Sequence, residues 1–353
     1  MRILCDLFCR VVDNLGDAGV CWRLARQLAL EHGWQVRLWI DDLQPLAALR
    51  SGSHAQEGVE ICLWPDNFPE VTPGQAVIEA FACELPSGFI AAMARQAKAP
   101  VWINLEYLSV EAWAANCHGL LSPHPSLPLV KYFFFPGFRA GTGGLLRESN
   151  RPPPPRQRSG PELRVSLFCY GNPALPNLLD CWAGGDEPMV CQVADGLPRR
   201  QVETWLGRAF PVGQQERAGN LQLIAASFVS QDDYDARLAA CDLNLVRGED
   251  SFVRAQWAEK PLVWQPYPQA DAAHLVKLDA FLALWLAGLD KTTADAASAF
   301  WRAWNGTGTP SATWPAFRSA LPALASHAKN WAQTIAGLGD LARNLVNFCR
   351  NRL

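Results

Sequence analysis

The stretch "RILCDLFCRVVDNLGDAGVCWRLARQLALE", residues 2–31, predicts a β-strand, a glycine-containing turn and an α-helix in direct succession. Its first residues form a short apolar run that is typical of a buried strand. From about Gly19 to Glu31 the apolar residues recur at helical spacing, which predicts a helix with one buried face. The same spacing turns Arg23, Arg26 and Gln27 outward. A strand followed at once by a helix begins a parallel α/β sheet.

The rest of the chain repeats this alternation on both sides of one break in composition. Strand-like runs follow in "VRLWI", "EICLW", "AVIEAF" and "VWINLEYL", and again in "LRVSLFCYG", "MVCQVAD" and "LQLIAASFV". Between the two groups, "RESNRPPPPRQRSG" (residues 147–160) is proline-rich and basic, as in a semi-rigid linker. The sequence therefore predicts two doubly wound, Rossmann-like α/β domains that face each other across a cleft.

The predicted domain bounds follow from this break. Residues 1–150 form the first domain, 151–160 the linker and 161–325 the second domain. In the remaining residues, 326–353, the apolar positions of "AGLGDLARNLVNFCRNRL" fall on one helical stripe. We therefore expect a long C-terminal helix that docks back on the first domain.

Composition excludes several classes of function. With 49% hydrophobic and 18% charged residues, the 353-residue chain is typical of a globular protein with large cores. Its net charge of -3 offers no electrostatic footprint for nucleic acid or for an anionic membrane. The first apolar run is interrupted by Asp6 and Arg10, so it predicts neither a signal peptide nor a membrane span. The 11 cysteines lack paired spacing apart from the loose pair Cys5 and Cys9, and the six histidines do not cluster, which predicts reduced thiols, a cytoplasmic location and no metal.

Two acids, Asp13 and Asp17, lie in the turn between the first strand and the first helix. One interpretation is structural: Asp13 or Asn14 caps the helix by accepting backbone N–H bonds, and Asp17 favours the helix dipole. The other is that both carboxylates hold a cation. A guanidinium fits best, because its planar fork binds a carboxylate bidentately, through two parallel hydrogen bonds.

The stretch "VRGEDSFVRAQWAEKPLVW", residues 246–264, has the pattern of a strand that ends at Arg247 and a helix that begins near Phe252. Free N–H groups at such a helix start suit a diphosphate, to which Ser251 can add a hydroxyl donor and Arg247 a charge. Ordinary capping by Asp250 or Ser251 is the structural alternative.

A third candidate, "FVSQDDYD", follows a predicted strand. Phe228 and Tyr234 can sandwich a planar base while the amide of Gln231 reads its edge. Core packing of the aromatic rings is the alternative. No dinucleotide-type glycine fingerprint and no phosphate-binding loop of the P-loop type occurs in the sequence, which disfavours a dehydrogenase.

Several segments together resemble the elongation factor P arginine rhamnosyltransferases, the EarP family. They are "DLFCRVVDNLGDAGVCWRLARQLA", "NLEYLS", "KYFFFPGF", "LFCYGN" and "VRGEDSFVRAQWAEKPLVWQPYPQ". The resemblance runs from the first strand to about Ala280 and continues more loosely to the end. It implies a GT-B glycosyltransferase that transfers L-rhamnose, with inversion and without a metal or other cofactor, from dTDP-β-L-rhamnose to one arginine of elongation factor P. It also implies that the first domain receives the acceptor protein and the second holds the nucleotide sugar.

The resemblance implies roles for single residues. Asp13 and Asp17 are the implied carboxylates for the acceptor arginine, and we assign Asp17 as the general base and Asp13 as the orienting group. Glu249 is implied at the catalytic site, where it hydrogen-bonds a sugar hydroxyl or orients its own loop. The residues implied to bind the nucleotide sugar are Asn14, Gly16, Phe168, Tyr170, Phe228, Gln231, Tyr234, Arg247, Asp250, Ser251 and Tyr267. Among these, Tyr234 replaces a phenylalanine of the family, and its hydroxyl needs water or a partner.

Other interpretations remain open at this stage. Asn104, Glu106 and Tyr107 of "NLEYL" either help to receive the partner protein or have a structural role. Another nucleotide-sugar enzyme on the same scaffold, such as an epimerase or a transferase to a small acceptor, fits the donor-side pattern. A non-catalytic module that binds arginine through the two acids fits the first turn.

Overall fold

The computed structural model describes residues 2–50, 58–149, 160–269 and 271–353. The chain divides into two compact units, of which the first comprises residues 1–150 with 334–353 and the second residues 151–333. The predicted linker at 151–160 lies outside the described residues except for Gly160. Within the described ranges, no helix is both long and apolar enough to cross a membrane.

The first unit is built on a twisted sheet with strand order β3-β2-β1-β4-β5-β7-β6. Its strands are β1 (Leu4–Cys9), β2 (Gln35–Ile40), β3 (Val59–Leu63), β4 (Ala76–Ala80), β5 (Val101–Leu105), β6 (Leu121–Pro123) and β7 (Val130–Phe134). Neighbouring strands are parallel except for the pair β6 and β7. The helices before the linker are α1 (Asn14–His32), α2 (Leu43–Leu49), α3 (Ser87–Ala94) and α4 (Trp113–Cys117).

The second unit repeats this architecture with strand order β10-β11-β9-β8-β12-β13. Its strands are β8 (Leu163–Leu167), β9 (Met189–Ala194), β10 (Gln215–Ala218), β11 (Leu221–Ala226), β12 (Leu243–Arg247) and β13 (Leu262–Gln265). Only the pairing of β10 with β11 is antiparallel among the described ladders of this sheet. The helices are α5 (Leu175–Ala183), α6 (Leu197–Leu206), α7 (Gln231–Ala240), α8 (Asp250–Trp257), α9 (Ala273–Trp285), α10 (Lys291–Trp304) and α11 (Pro310–Ala336), and the boundary between the units falls within α11.

Helix α1 differs from its prediction in two ways. It begins at Asn14 rather than at about Gly19. Moreover, Arg23 and Gln27, predicted to point outward, are only 1% and 2% exposed. The Arg23 guanidinium forms a two-pronged ion pair with Glu148 (2.6 and 2.8 Å). A segment distant in sequence thus covers the polar side of α1, and a single-helix pattern cannot reveal such a cover.

The sequence predicted one long helix at the C-terminal end of the chain, but the structure has two separate helices there. Helix α11 ends at Ala336, and a separate helix, α12 (Leu341–Arg350), follows. The break lies at Gly339, whose φ of +80° favours glycine, and at Asp340, whose side chain accepts the backbone N–H of Arg343. The apolar stripe of α12 joins the core cluster that also contains the buried faces of β1 and α1.

The buried Arg23–Glu148 pair provides a test of this packing. We expect Glu148→Ala to lower the free energy of unfolding by about 3 kcal/mol, because it leaves the buried Arg23 charge without its carboxylate. Urea denaturation measures the effect. Asp295→Ala is the matched control, since the Lys291–Asp295 pair is largely exposed and should contribute less than about 1 kcal/mol. Equal effects of the two substitutions would contradict the assignment.

Candidate active site

Asp17 is held rigidly at the start of α1. The side chain is 3% exposed, and its Oδ2 accepts hydrogen bonds from the backbone N–H groups of Val12 (2.9 Å) and Asp13 (2.8 Å). Burial raises the pKa of Asp17, the two backbone bonds oppose that shift, and the charges of Asp13 and Asp41 add to it. Within the described chain no hydrogen bond reaches the other oxygen, Oδ1. Asp17 is therefore a fixed carboxylate with a strengthened affinity for a proton.

Asp13 stands at the N-cap position of α1, but its side chain makes no capping hydrogen bond. The capping alternative is therefore wrong for Asp13, and the Asp17 carboxylate instead accepts the N–H groups of Val12 and Asp13 just before the helix. The Asp13 carboxylate lies over Gly16, where a Cβ would come within 2.7 Å of Oδ2. Glycine at this position thus gives the carboxylate its space. Asn14 and Gly16, predicted to bind the nucleotide sugar, belong to this first turn in the first unit.

A strained turn follows β4, whose neighbour in the sheet is β1. Phe81, Ala82 and Glu84 have φ values of +58°, +53° and +54°, an arrangement that non-glycine residues rarely adopt. Asn104 Oδ1 accepts the N–H of Ala82 at 3.1 Å, and Glu79 Oε1 accepts that of Glu84 at 3.2 Å. Such strain costs about 1–3 kcal/mol per residue and is typical of functional sites. No sequence signal marks this turn, because none of the three residues is a glycine.

The "NLEYL" segment contacts this turn through the side chains of Asn104 and Tyr107. Asn104 is 1% exposed, and its Nδ2 donates to Glu106 at 2.5 Å. Burial raises the pKa of Glu106, while the bond from Asn104 and the charge of Lys131 oppose the shift. The Tyr107 ring stacks on Phe81 with ring centroids 4.4 Å apart and remains 36% exposed. Asn104 therefore has a structural role, whereas Tyr107 and Phe81 form an accessible aromatic surface at the same sheet edge.

In the second unit, the Arg247 guanidinium lies over two aromatic rings. Its guanidinium carbon is 4.5 Å from the ring centroid of Phe168 and 4.4 Å from that of Tyr170. Both rings follow β8, and Arg247 ends β12, the neighbouring strand. No carboxylate of the described chain forms an ion pair with this guanidinium, so its charge is available to an anion.

Ser251 holds the backbone of Arg247 rather than capping α8. Its Oγ accepts the Arg247 N–H at 3.1 Å and donates its proton to the Arg247 carbonyl oxygen. The N-cap of α8 is Glu249, which is half-buried and whose side chain makes no capping bond. The capping alternative for Asp250 and Ser251 is therefore wrong. The hydroxyl that we expected to face a diphosphate is directed at Arg247 in this structure.

Gln231 and Asp250 join α7 to α8. Asp250 Oδ2 accepts from Gln231 Nε2 and from Arg254 Nε, each at 3.1 Å. The buried Arg254 also pairs with Asp235 at 3.0 Å. Gln231 is 5% exposed. The structure therefore directs the Gln231 amide nitrogen and the Asp250 carboxylate into an internal charged network.

The remaining predicted residues are aromatic. Phe228 and Tyr267 are 45% and 57% exposed, and Tyr267 contacts the Tyr170 ring edge-on at 5.3 Å. Tyr234 contacts Phe168 edge-on at 6.0 Å. Its hydroxyl is buried and finds no hydrogen-bond partner among the described residues, and burial raises its pKa. Phe228 and Tyr267 are therefore the predicted aromatic residues most open to a ligand.

The family to which this arrangement belongs follows from comparison with known proteins. The sequence model for "Elongation-Factor P (EF-P) rhamnosyltransferase EarP" matches residues 5–158 and 155–350. The chain belongs to the EarP family. A protein-arginine rhamnosyltransferase of Pseudomonas putida is 44% identical and aligns over 100% of both chains. One of Shewanella oneidensis is 37% identical over 98% of this chain and 97% of its own.

One solved structure agrees with the EarP assignment, and a more distant one shares the fold alone. One described as the structural basis for EarP-mediated arginine glycosylation of translation elongation factor EF-P has a TM-score of 0.70 and 34% identity, and all of both chains is covered. The calicheamicin glycosyltransferase CalG4, at 15% identity and a TM-score of 0.54 over 100% of this chain and 99% of its own, shares the fold. This EarP chain is a glycosyltransferase with the α/β GT-B fold, as the sequence predicted.

Gly16 provides a test of the first turn. We expect Gly16→Ala to reduce turnover at least tenfold without lowering the melting temperature, because the new methyl group displaces the Asp13 carboxylate and alanine favours the helix. Steady-state kinetics and thermal unfolding measure the two effects. Gly88→Ala is the matched control in the first turn of α3, where a Cβ meets no atom within 4 Å. Unchanged turnover in Gly16→Ala would show that the position of Asp13 does not matter.

Proposed function

We propose that this EarP protein transfers L-rhamnose from dTDP-β-L-rhamnose to an arginine of elongation factor P, with inversion at the anomeric carbon and without a metal. The relatives named protein-arginine rhamnosyltransferases and the solved structure concerned with EF-P support the acceptor. The single observation that carries the chemistry is the fixed, buried carboxylate of Asp17, which stands beside Asp13 at the edge of the first sheet. The cytoplasm, where translation factors work, is the proposed location.

The acceptor arginine needs activation, since a guanidinium with a pKa above about 12 is a poor nucleophile. In the proposed reaction, Asp13 and Asp17 grip the guanidinium and align one nitrogen with the anomeric carbon. That nitrogen forms the new C–N bond as the bond from the anomeric carbon to the diphosphate oxygen breaks. The bonding electrons leave with dTDP, and the proton of the nitrogen passes to Asp17. Attack from the face opposite the leaving group inverts the anomeric centre.

The leaving diphosphate gains negative charge as the bond breaks. Arg247 supplies an unneutralised cation at the carboxyl end of β12, and the N-terminus of α8 adds backbone N–H groups. The exposed rings of Phe228 and Tyr267 are available to the thymine and the sugar side. Glu249, at the N-cap of α8, is proposed to hydrogen-bond a sugar hydroxyl. In this proposal, Arg247 and the N–H groups of α8 stabilise the negative charge of the leaving diphosphate.

The direct test is incubation of the purified chain with dTDP-β-L-rhamnose and elongation factor P. We expect a mass increase of one deoxyhexose on a single arginine, with dTDP formed in equal amount. Mass spectrometry of the acceptor locates the arginine, and NMR of the glycosylated peptide gives the anomeric configuration. Consumption of the donor without modification of the protein would support an epimerase or a transferase to a small acceptor instead.

Asp17→Asn separates catalysis from folding. We expect kcat to fall at least about 100-fold while the Kd for dTDP stays within twofold, because the amide keeps an oxygen for the backbone N–H groups but cannot accept the proton. In the wild type, kcat falls as Asp17 becomes protonated at acid pH. Because the pKa of Asp17 is raised, this loss begins above the ordinary aspartate value of about 3.9.

Asp41→Asn is the matched control for this pH profile. It removes a negative charge that raises the pKa of Asp17, so the acid limb of kcat should move to lower pH while the plateau stays close to that of the wild type. An acid limb that persists unchanged in Asp17→Asn would overturn the assignment of Asp17 as the base. Equal loss of kcat and of dTDP affinity would indicate misfolding.

A further inference from the structure

The half-buried side chain of Arg247 is surrounded by aromatic rings rather than by carboxylates. Its guanidinium carbon lies 4.5 Å from the Phe168 ring centroid and 4.4 Å from that of Tyr170. Its backbone is fixed on both the N–H and the carbonyl side by Ser251. Two aromatic rings thus hold the Arg247 guanidinium, and the Ser251 hydroxyl holds the Arg247 backbone.

We propose that Phe168 and Tyr170 are positioning residues, which act on the donor diphosphate through Arg247 rather than by stacking on the nucleobase. This inference rests on the proposed function, since it assigns the anion at Arg247 to the diphosphate of the nucleotide. We call the unit of Phe168, Arg247 and Tyr170 the arginine clamp.

Aromatic faces suit this task for an electrostatic reason. A carboxylate would hold the guanidinium equally well, but it would neutralise the charge that the diphosphate must meet. A ring face attracts the cation through its quadrupole and leaves the net charge of the site positive. A free arginine side chain loses rotamer freedom when it binds, so an arginine ordered beforehand binds an anion at a lower entropic cost. The clamp therefore fixes the position of the guanidinium without neutralising its positive charge.

The two rings are themselves held by neighbours. The Tyr170 N–H donates to Gln265 Oε1 at 2.9 Å, and the Tyr267 ring meets the Tyr170 ring at 88°. The Tyr234 ring packs edge-on against Phe168 at 6.0 Å. Tyr170 is 7% exposed, so little of its surface remains for stacking on a base. Phe228, which is 45% exposed, is the better placed ring for that purpose.

A double-mutant cycle with dTDP as the probe tests the clamp. Isothermal titration calorimetry gives the Kd of the full-length wild type, Phe168→Leu, Arg247→Met and the double variant. We expect Phe168→Leu to raise the Kd about tenfold in the wild type and less than twofold in the Arg247→Met background, because the ring acts through the arginine. Tyr170→Leu should show the same dependence on Arg247, since the Tyr170 ring also contacts the guanidinium.

Phe228→Leu is the matched control, since it removes an aromatic ring that does not contact Arg247 in the described structure. Its effect on the Kd should be the same factor in both backgrounds. Phe168→Tyr and Tyr170→Phe keep the ring faces and should retain the wild-type Kd within twofold. Thermal unfolding of each variant identifies any loss of affinity that comes from loss of structure, and the two conservative variants still test the clamp in that case.

The outcomes separate this inference from the proposed function. If Phe168→Leu and Tyr170→Leu raise the Kd by the same factor with and without Arg247, the rings act independently of the arginine and the clamp is overturned, while the proposed function stands. Loss of dTDP binding in the conservative variants would likewise overturn the clamp. If the wild type does not bind dTDP at all, the proposed donor is wrong, and the clamp as a diphosphate device falls with it.

Discussion

Parallel strands of one sheet all end at the same edge, and this constraint decides where chemistry can be placed in each unit. In the first sheet the turn with Asp13 and Asp17 follows β1, and the strained turn at Phe81 follows its neighbour β4. In the second sheet the aromatic residues after β8 meet Arg247 at the end of β12. Each edge thus gathers side chains that are far apart in sequence, while the central strands β1, β4, β8 and β12 are largely buried.

Asp17 and Arg247, which are residues of opposite charge type at the two edges, are fixed by different means, and neither forms an ion pair in the described chain. Asp17 is fixed by backbone N–H groups, which are dipoles, and one of its oxygens has no hydrogen-bond partner in the described chain. Arg247 is fixed by ring quadrupoles and by Ser251. The structural ion pairs behave differently: Arg23 meets Glu148, and Arg254 meets Asp235, so neither offers its charge to a ligand. The contrast distinguishes the residues that we propose to bind substrate from the residues that stabilise the fold.

Sequence patterns predicted the elements well where the cause is local. The alternation of short apolar runs and helical stripes gave the sheet class, and turn chemistry marked the residues after β1 and β12. The errors have tertiary causes. Arg23 and Gln27 look like surface residues on α1 alone, but a distant segment covers them. The turn with positive φ at Ala82 and Glu84 has backbone N–H groups that donate to side chains of β5 and β4, and no local propensity encodes these contacts. Likewise, only the three-dimensional structure shows that the Ser251 hydroxyl hydrogen-bonds the backbone of Arg247.

The first unit is built from segments on both sides of the second unit in the sequence, and this arrangement affects how the protein folds during synthesis. Helix α12 contributes Leu341, Leu345 and Cys349 to the same core cluster as β1 and α1. On the ribosome those residues emerge only after the whole second unit has been synthesised. The first sheet must therefore wait with part of its apolar surface uncovered until α12 has emerged, whereas the second unit, continuous in sequence, is free to fold during synthesis.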